Sequence, residues 1–290
     1  MVNRRQFLLQ TGITAAGLSL GGCLFAAGDK RRLIGIQLYT LRDEIKSRGL
    51  KGTLQMLASA GYNSVEMFGF SGKDFFGDKP EAVANLLKTF GLKSPSGHYM
   101  LNLFDDNGQQ VIDAALSLGN SYIVIPWFPP EQRSSIDDYK RIAEKLNQAA
   151  ELCSKNKVRL AYHNHEFEFQ QYPEGVCGYD ILTEEVSADL MDLELDLFWV
   201  DFAGRDPLEI FRKYTGRIKM WHVKDRDKAN PKINTEIGYG TIDYKKIFAQ
   251  ASVSGLEYFY MEQENFAMDP EKSIQKSNAY IKKNLLPALG

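Results

Sequence analysis

The segment Leu160-Ala161-Tyr162-His163-Asn164-His165-Glu166-Phe167-Glu168 holds two of the four histidines in a chain of 290 residues, at the end of an apolar run. With Val158 to Tyr162 in a strand, alternation sends His163 and His165 to one side and Asn164 to the other. Two imidazoles on one side of a strand's C-terminal end suit a metal ion or a polar substrate. Taken alone, the segment also reads as a polar surface turn, so its meaning depends on its surroundings.

Around it, one rhythm repeats after Lys30. A short apolar run ends in polar or aromatic residues, and an amphipathic stretch follows. The strand-like runs are Leu33–Thr40, Ser64–Phe68, Lys93–His98, Tyr122–Trp127, Val158–His163, Met191–Asp196, Ile218–His222 and Tyr258–Glu262. Between and after them lie helical stretches: Leu50–Ala60, Lys79–Phe90, Val111–Leu118, Ile136–Lys155, Tyr179–Glu185, Pro207–Tyr214, Tyr244–Ala251 and Pro270–Asn284. Eight such units in about 260 residues match a single (β/α)8 barrel of the α/β class. The rival, a doubly wound open sheet, lacks its glycine-rich loop, because Gln37-Leu38-Tyr39-Thr40-Leu41 contains no glycine. With no linker after Lys30, residues 31–290 read as one barrel domain.

The composition, 44% hydrophobic and 25% charged, is that of a globular protein with a real core. A net charge of −2 with mixed signs gives no basic face, so nucleic acid is not an expected partner. Cys23, Cys153 and Cys177 make neither a disulfide framework nor a CxxC metal site, and the last two read as buried apolar residues. The first thirty residues read as a signal segment. Asn3-Arg4-Arg5-Gln6-Phe7-Leu8 resembles a twin-arginine export signal, and Leu20-Gly21-Gly22-Cys23 resembles a lipobox whose cysteine carries a lipid. Ala27 offers a competing cleavage site, and the uncharged stretch from Thr11 to Ala27 is short and rich in Gly and Ala for a membrane span. Export to the periplasm is therefore expected, or anchoring to the envelope, with a lipid on Cys23 as the only membrane contact.

In a barrel, active-site groups project from the C-terminal ends of the strands. The eight ends here carry Gln37 and Tyr39; Glu66; His98; Pro126 and Trp127; His163, His165 and Glu166; Glu194, Asp196 and Trp199; His222, Lys224 and Asp225; and Glu262 and Glu264. All four histidines fall at such ends, which points to a catalytic polar pocket. Asp196, His222 and Glu262, with a fourth ligand from strand five, form a carboxylate and imidazole set suited to Mn²⁺, Co²⁺, Mg²⁺ or Zn²⁺. An ion with open positions there would bind a sugar's hydroxyl and carbonyl and stabilise an enediolate.

Each residue also has a plainer reading. Asp196 could be a strand-end cap, His222 a satisfied core histidine, and Trp127 and Trp199 ordinary core. Lys224 is open between substrate binding, proton transfer and a salt bridge with Asp225. Glu262, in the apolar run Tyr258-Phe259-Tyr260-Met261, needs a partner or a metal, and Glu66 has the same character.

These residues resemble the xylose-isomerase-like TIM-barrel superfamily, and more narrowly its sugar phosphate isomerase/epimerase group with inosose dehydratase-like and ketose 3-epimerase-like members. The matching pieces include Ile36-Gln37-Leu38-Tyr39-Thr40-Leu41-Arg42, Tyr162-His163-Asn164-His165-Glu166, Leu195-Asp196-Leu197-Phe198-Trp199-Val200, His222-Val223-Lys224-Asp225 and Glu262-Gln263-Glu264. The resemblance spans about Leu33 to Asn284. It implies four ligands on strands five to eight: glutamate, aspartate, histidine and glutamate. Asp196, His222 and Glu262 match the last three, and His163 stands in place of the first. That departure disfavours a symmetrical two-glutamate epimerisation, leaving His98, His165, Lys224 and Glu262 as proton-transfer candidates. Tyr39, Glu66, Trp127, Glu166 and Trp199 are the substrate-binding candidates.

The expected function is metal-dependent enolisation of a sugar or keto-sugar. A 3-keto-glycoside lyase or hydrolase and a dehydratase are alternatives on the same scaffold. A non-catalytic envelope carbohydrate-binding protein is the reading from another class.

Overall fold

A computed structural model describes residues 29–289. The twin-arginine-like motif and the lipobox-like Cys23 lie outside the described residues. Among those described, no helix is long and apolar enough to cross a membrane. Seven strands follow in chain order: β1 Ile34–Gln37, β2 Ser64–Met67, β3 Lys93–His98, β4 Tyr122–Ile125, β5 Arg159–His163, β6 Met191–Asp196 and β7 Ile218–Val223. A two-stranded ribbon, β8 Asp225–Arg226 and β9 Asn234–Thr235, precedes the last barrel strand, β10 Tyr258–Met261. Parallel pairing runs from strand to strand, and β10 pairs with both β7 and β1 to close an eight-stranded barrel.

Helices α1 Arg42–Ser59, α2 Pro80–Thr89, α3 Leu103–Leu118, α4 Ile136–Lys155, α5 Gly178–Glu185, α6 Leu197–Phe202, α7 Pro207–Lys213, α8 Tyr244–Phe248, α9 Ala251–Ser254 and α10 Pro270–Tyr280 connect the strands. Several bounds differ from the sequence reading, for local reasons. Strand one stops at Gln37 because that side chain accepts the Tyr39 N–H and turns the chain into a 3₁₀ turn. Helix α1 begins eight residues earlier than Leu50, across a break at Gly49 with φ 73°; only its buried second half carries a readable apolar period. The helix expected over Tyr244–Ala251 is two short ones. Cys153 and Cys177 are buried free thiols.

Alternation along the strands explains where the site sits. Tyr122, Val124, Ala161, Met220, Tyr258 and Tyr260 form a small apolar cluster apart from the large core that packs against the helices. Continuing the same parity upward from Ala161, Met220 and Tyr260 gives His163, His222 and Glu262, so the inward rows change from apolar to ionisable at the strands' C-terminal ends. Gly35 makes the inward layer close: a Cβ there would lie 2.4 Å from Cδ1 of Tyr260 and 2.6 Å from the Phe259 carbonyl oxygen. Gly35→Ala is therefore expected to cost about 1–3 kcal/mol through overpacking. Chemical denaturation measures this, and an unchanged midpoint would contradict the close approach.

Candidate active site

The polar ends of the inward rows meet beneath a cavity of about 470 Å³. Its polar side comes from His98, His163, His165, Lys224, Glu262 and Glu264. Tyr39, Phe68, Phe70, Met100, Pro126 and Trp127, from the ends of β1 to β4, supply apolar lining, and Trp199 also lines the space.

His222, fully buried, is the hub. Its Nδ1 lies 2.7 Å from Oε2 of Glu262 and its Nε2 lies 2.6 Å from Oε2 of Glu66. Glu66 also accepts from Gln37 Nε2 at 2.8 Å and from the Ser96 hydroxyl, which fixes it below the floor of the cavity. Glu194 Oε2 lies 2.8 Å from His98 Nε2, 3.0 Å from His163 Nδ1 and 3.2 Å from His222 Nε2. Sequence reasoning placed Glu194 at a strand end without giving it a role. Its signal was parity: it is two residues before Asp196 and shares that inward face.

Asp196 settles a choice the sequence left open. Its Oδ1 accepts the N–H groups of Phe198 and Trp199 and so caps α6, a helix the sequence reading missed. Its Oδ2 accepts no hydrogen bond and lies 3.1 Å from the Lys224 ammonium and 3.8 Å from His163 Nε2. One carboxylate therefore caps with one oxygen and presents the other to the site. Lys224, only 1% exposed, reaches Asp196, Glu262 at 3.0 Å and Glu264 at 2.8 Å. It does not pair with Asp225. The Asp225 carboxylate instead accepts four backbone N–H groups, from Arg226, Gly238, Gly240 and Ile242, and organises the loop after β9.

The other candidates divide. His98 and His165 line the cavity, His165 stacked on Phe167 at 5.4 Å with no partner for its Nδ1. Tyr39, Trp127 and Trp199 line it too, whereas Glu66 lies beneath it. Glu166, half-buried before a 3₁₀ turn, is not among the lining side chains. Glu236 accepts from Ser273 at 2.8 Å and Lys276 at 3.2 Å, both on α10, and is likewise not among them. Asn164, on the opposite parity to His163, accepts the Asp196 N–H at 3.0 Å and ties β5 to the end of β6.

The electrostatics follow from burial and pairing. Burial alone would lower the pKa of His98, but Glu66 and Glu194 reverse this and hold it at about 9. His222 is raised well above the ordinary value, with Glu194 and Glu262 overcoming burial. His163 is pushed well below it by burial and the neighbouring His222, and His165 falls to about 3 through burial and Lys224. Burial, with Glu66 next to it, raises Glu194 to about 7. Glu262 is held below the carboxylate range because Lys224 and His222 outweigh burial.

The donor set fits a divalent cation. Asp196, His222 and Glu262 offer ligand atoms within 4.8 Å of one another, and His163 turns Nε2 toward Asp196. Behind that set, Glu194 bonds the other nitrogen of His163, and Glu66 the other nitrogen of His222, as carboxylates commonly do behind ligating imidazoles. Asp196 Oδ2, buried and accepting no hydrogen bond, is a bare anionic oxygen between Lys224 and His163 that a cation would compensate.

Under the floor, Glu168 supports the loop that carries His165. It accepts from the Tyr162 hydroxyl and, at 2.7 Å, from the His165 N–H, and burial raises its pKa from 4.5 to about 7. Because the folded-state value lies above the unfolded one, its contribution is complete below about pH 4.5 and disappears as pH rises through 7. Glu168→Gln should flatten the fall in stability over that window by up to about 3 kcal/mol. Denaturation midpoints at pH 5 and pH 7.5 read it, and equal slopes for the two proteins would contradict it.

A family model for the xylose isomerase-like TIM barrel matches residues 54–284, and the chain belongs to that family. Among its relatives is the inosose dehydratase of Clostridium botulinum (strain Alaska E43 / Type E3), 22% identical over 282 residues, covering 83% of this chain and 92% of that protein. The inosose dehydratase of Clostridium perfringens (strain ATCC 13124) is 28% identical over 165 residues, covering 50% and 54%. In such matches the chain spans about half the length of the curated relative. A sugar phosphate isomerase/epimerase from Parabacteroides distasonis ATCC 8503 is 26% identical and superposes with a TM-score of 0.77, covering 91% of this chain and 97% of that one. These homologues are isomerase-, epimerase- and dehydratase-type proteins.

Proposed function

We propose that the protein is a divalent-metal-dependent enzyme that enolises a sugar or keto-sugar next to its carbonyl group, as sugar isomerases and epimerases do. The observation that carries this reading is the convergence of Asp196, His222 and Glu262, with His163 Nε2 3.8 Å from Asp196, beneath a cavity of sugar-accommodating size that His163 and Glu262 line. A divalent ion held by these four residues would stabilise the negative charge that builds on the carbonyl oxygen as the neighbouring C–H proton leaves.

The chain supplies the proton handling. Glu262 is ionised and lines the cavity, so its carboxylate is the acceptor for the proton on carbon. Lys224 holds that carboxylate in place at 3.0 Å and, with Glu264 at 2.8 Å, provides a donor on the same side. His98, cationic at the cavity wall, is a second donor, from β3. His165 stays neutral and orients hydroxyl groups.

The arrangement is one-sided, because the strand-five position is an imidazole. Acid and base groups of different kinds suit loss of water as well as movement of a carbonyl, and the inosose dehydratase relatives support that outcome. The N-terminal motifs support action in the periplasm or at the envelope.

Treatment with EDTA is expected to remove activity on keto-sugars, and Mn²⁺, Co²⁺ or Zn²⁺ to restore it. Undiminished turnover by protein shown to be free of metal would remove the metal from the account.

A further inference from the structure

We propose that the cavity takes a glycoside rather than a free monosaccharide. The reactive sugar lies at the polar pole and an apolar, preferably aromatic, aglycone lies against Trp127 and Phe68. For the reactive pole the inference rests on the proposed function; for the apolar pole it rests on the cavity itself. A space of about 470 Å³ is within the range that encloses drug-sized ligands and exceeds what one sugar ring fills.

The division of the lining argues against a second sugar. The apolar lining follows the ends of the neighbouring strands β1 to β4, where Phe68, Phe70, Met100 and Pro126 offer no side-chain donor and Tyr39 and Trp127 one each, whereas the ionisable lining, His98 on β3 apart, follows β5, β7 and β10. Hydroxyl groups buried there would lose their water partners without replacement, which is costly. A flat apolar ring meets no such penalty and stacks well on aromatic faces.

A second, independent observation concerns the rim. Tyr39, Phe76, Met100 and Trp127 are 36–40% exposed, and they make up four of the seven large apolar side chains exposed among the described residues. Tyr39, Met100 and Trp127 line the cavity, and Phe76 packs edge-on against Phe68 at 5.1 Å, behind the same wall. Tyr39 closes the row on Phe68 at 5.3 Å. Exposed apolar surface gathered at one mouth marks a ligand groove. Trp127, beyond the end of β4, is well placed to discriminate between aglycones.

The test is calorimetric titration of the intact protein with matched phenyl and methyl β-D-glucopyranosides, galactopyranosides and xylopyranosides. For at least one sugar the phenyl glycoside is expected to bind tenfold or more tightly than the methyl glycoside, about 1.4 kcal/mol. Trp127→Ala and Phe68→Ala are each expected to shrink that ratio below about threefold. Equal binding of phenyl and methyl forms would overturn the proposal. So would no binding by any phenyl glycoside at about 10 mM, or a ratio untouched by both variants. A phenyl preference without deuterium uptake into any keto-sugar keeps the aglycone site and removes the enolisation reading. Deuterium uptake without a phenyl preference removes the aglycone site alone.

Discussion

His222→Ala is expected to lower the rate of proton exchange on a keto-sugar by at least about 10³-fold at saturating metal. The side chain holds Glu262 through Nδ1 and meets Glu66 and Glu194 through Nε2, so its loss would disconnect the proposed ion seat from the proposed proton-transfer groups. The barrel pairing should survive, because the ring lies level with Tyr260, its register partner, and two residues beyond Met220, at the polar end of the inward row. Single-turnover exchange and circular dichroism separate the two effects. A variant with intact structure and near-normal exchange would mean that the chemistry lies elsewhere in the cavity.

Lys224→Met is expected to make stability depend on metal. In the ion-free protein the ammonium is the shared counter-charge of Asp196 and Glu262, at 3.1 and 3.0 Å, and its pKa is raised well above normal because these carboxylates overcome burial. Removing one side of a buried pair typically costs about 3–5 kcal/mol. For a domain of this size that lowers Tm by roughly 6–20 °C in EDTA. A divalent ion that binds only the folded state should restore most of the loss. Melting curves of wild type and variant, each in EDTA and in Co²⁺, read this directly. An unchanged Tm in EDTA would show that Lys224 is not that counter-charge. A large loss that no ion reverses would count against a cation seat between Asp196 and Glu262.

The barrel was legible because most strands are short apolar runs with a polar end; β3, Lys-Ser-Pro-Ser-Gly-His, is not, yet it and β6 have the bounds the sequence implies. Position at the strands' C-terminal ends and the family resemblance led to Asp196, His222 and Glu262, and each continues an inward row of its strand. Depth was not legible. Glu66 and Glu262 look alike in the sequence, yet Glu66 bonds His222 from beneath while Glu262 faces the cavity. Which one meets substrate depends on strand stagger, including the register shifts between β2 and β3 and between β6 and β7. The central place of Glu194 has the same origin. The role of Glu168 was hidden differently: its partners Tyr162 and His165 are met only after the chain folds back in the Phe167–Phe169 turn. The double duty of Asp196 needed the unread helix α6, whose apolar sequence Leu-Phe-Trp-Val reads as strand as readily as helix.

Metal-assisted enolisation is measured directly by deuterium uptake from D₂O into a panel of keto-sugars, followed by proton NMR. The chelated protein would be compared with the same protein reconstituted with Co²⁺, and Asp196→Asn would serve as a second reference. Uptake at the carbon beside the carbonyl is expected for the reconstituted wild type, with loss on chelation and little in Asp196→Asn. Absence of uptake by the fully reconstituted protein while it binds sugar would contradict the account and leave a carbohydrate-binding barrel in its place.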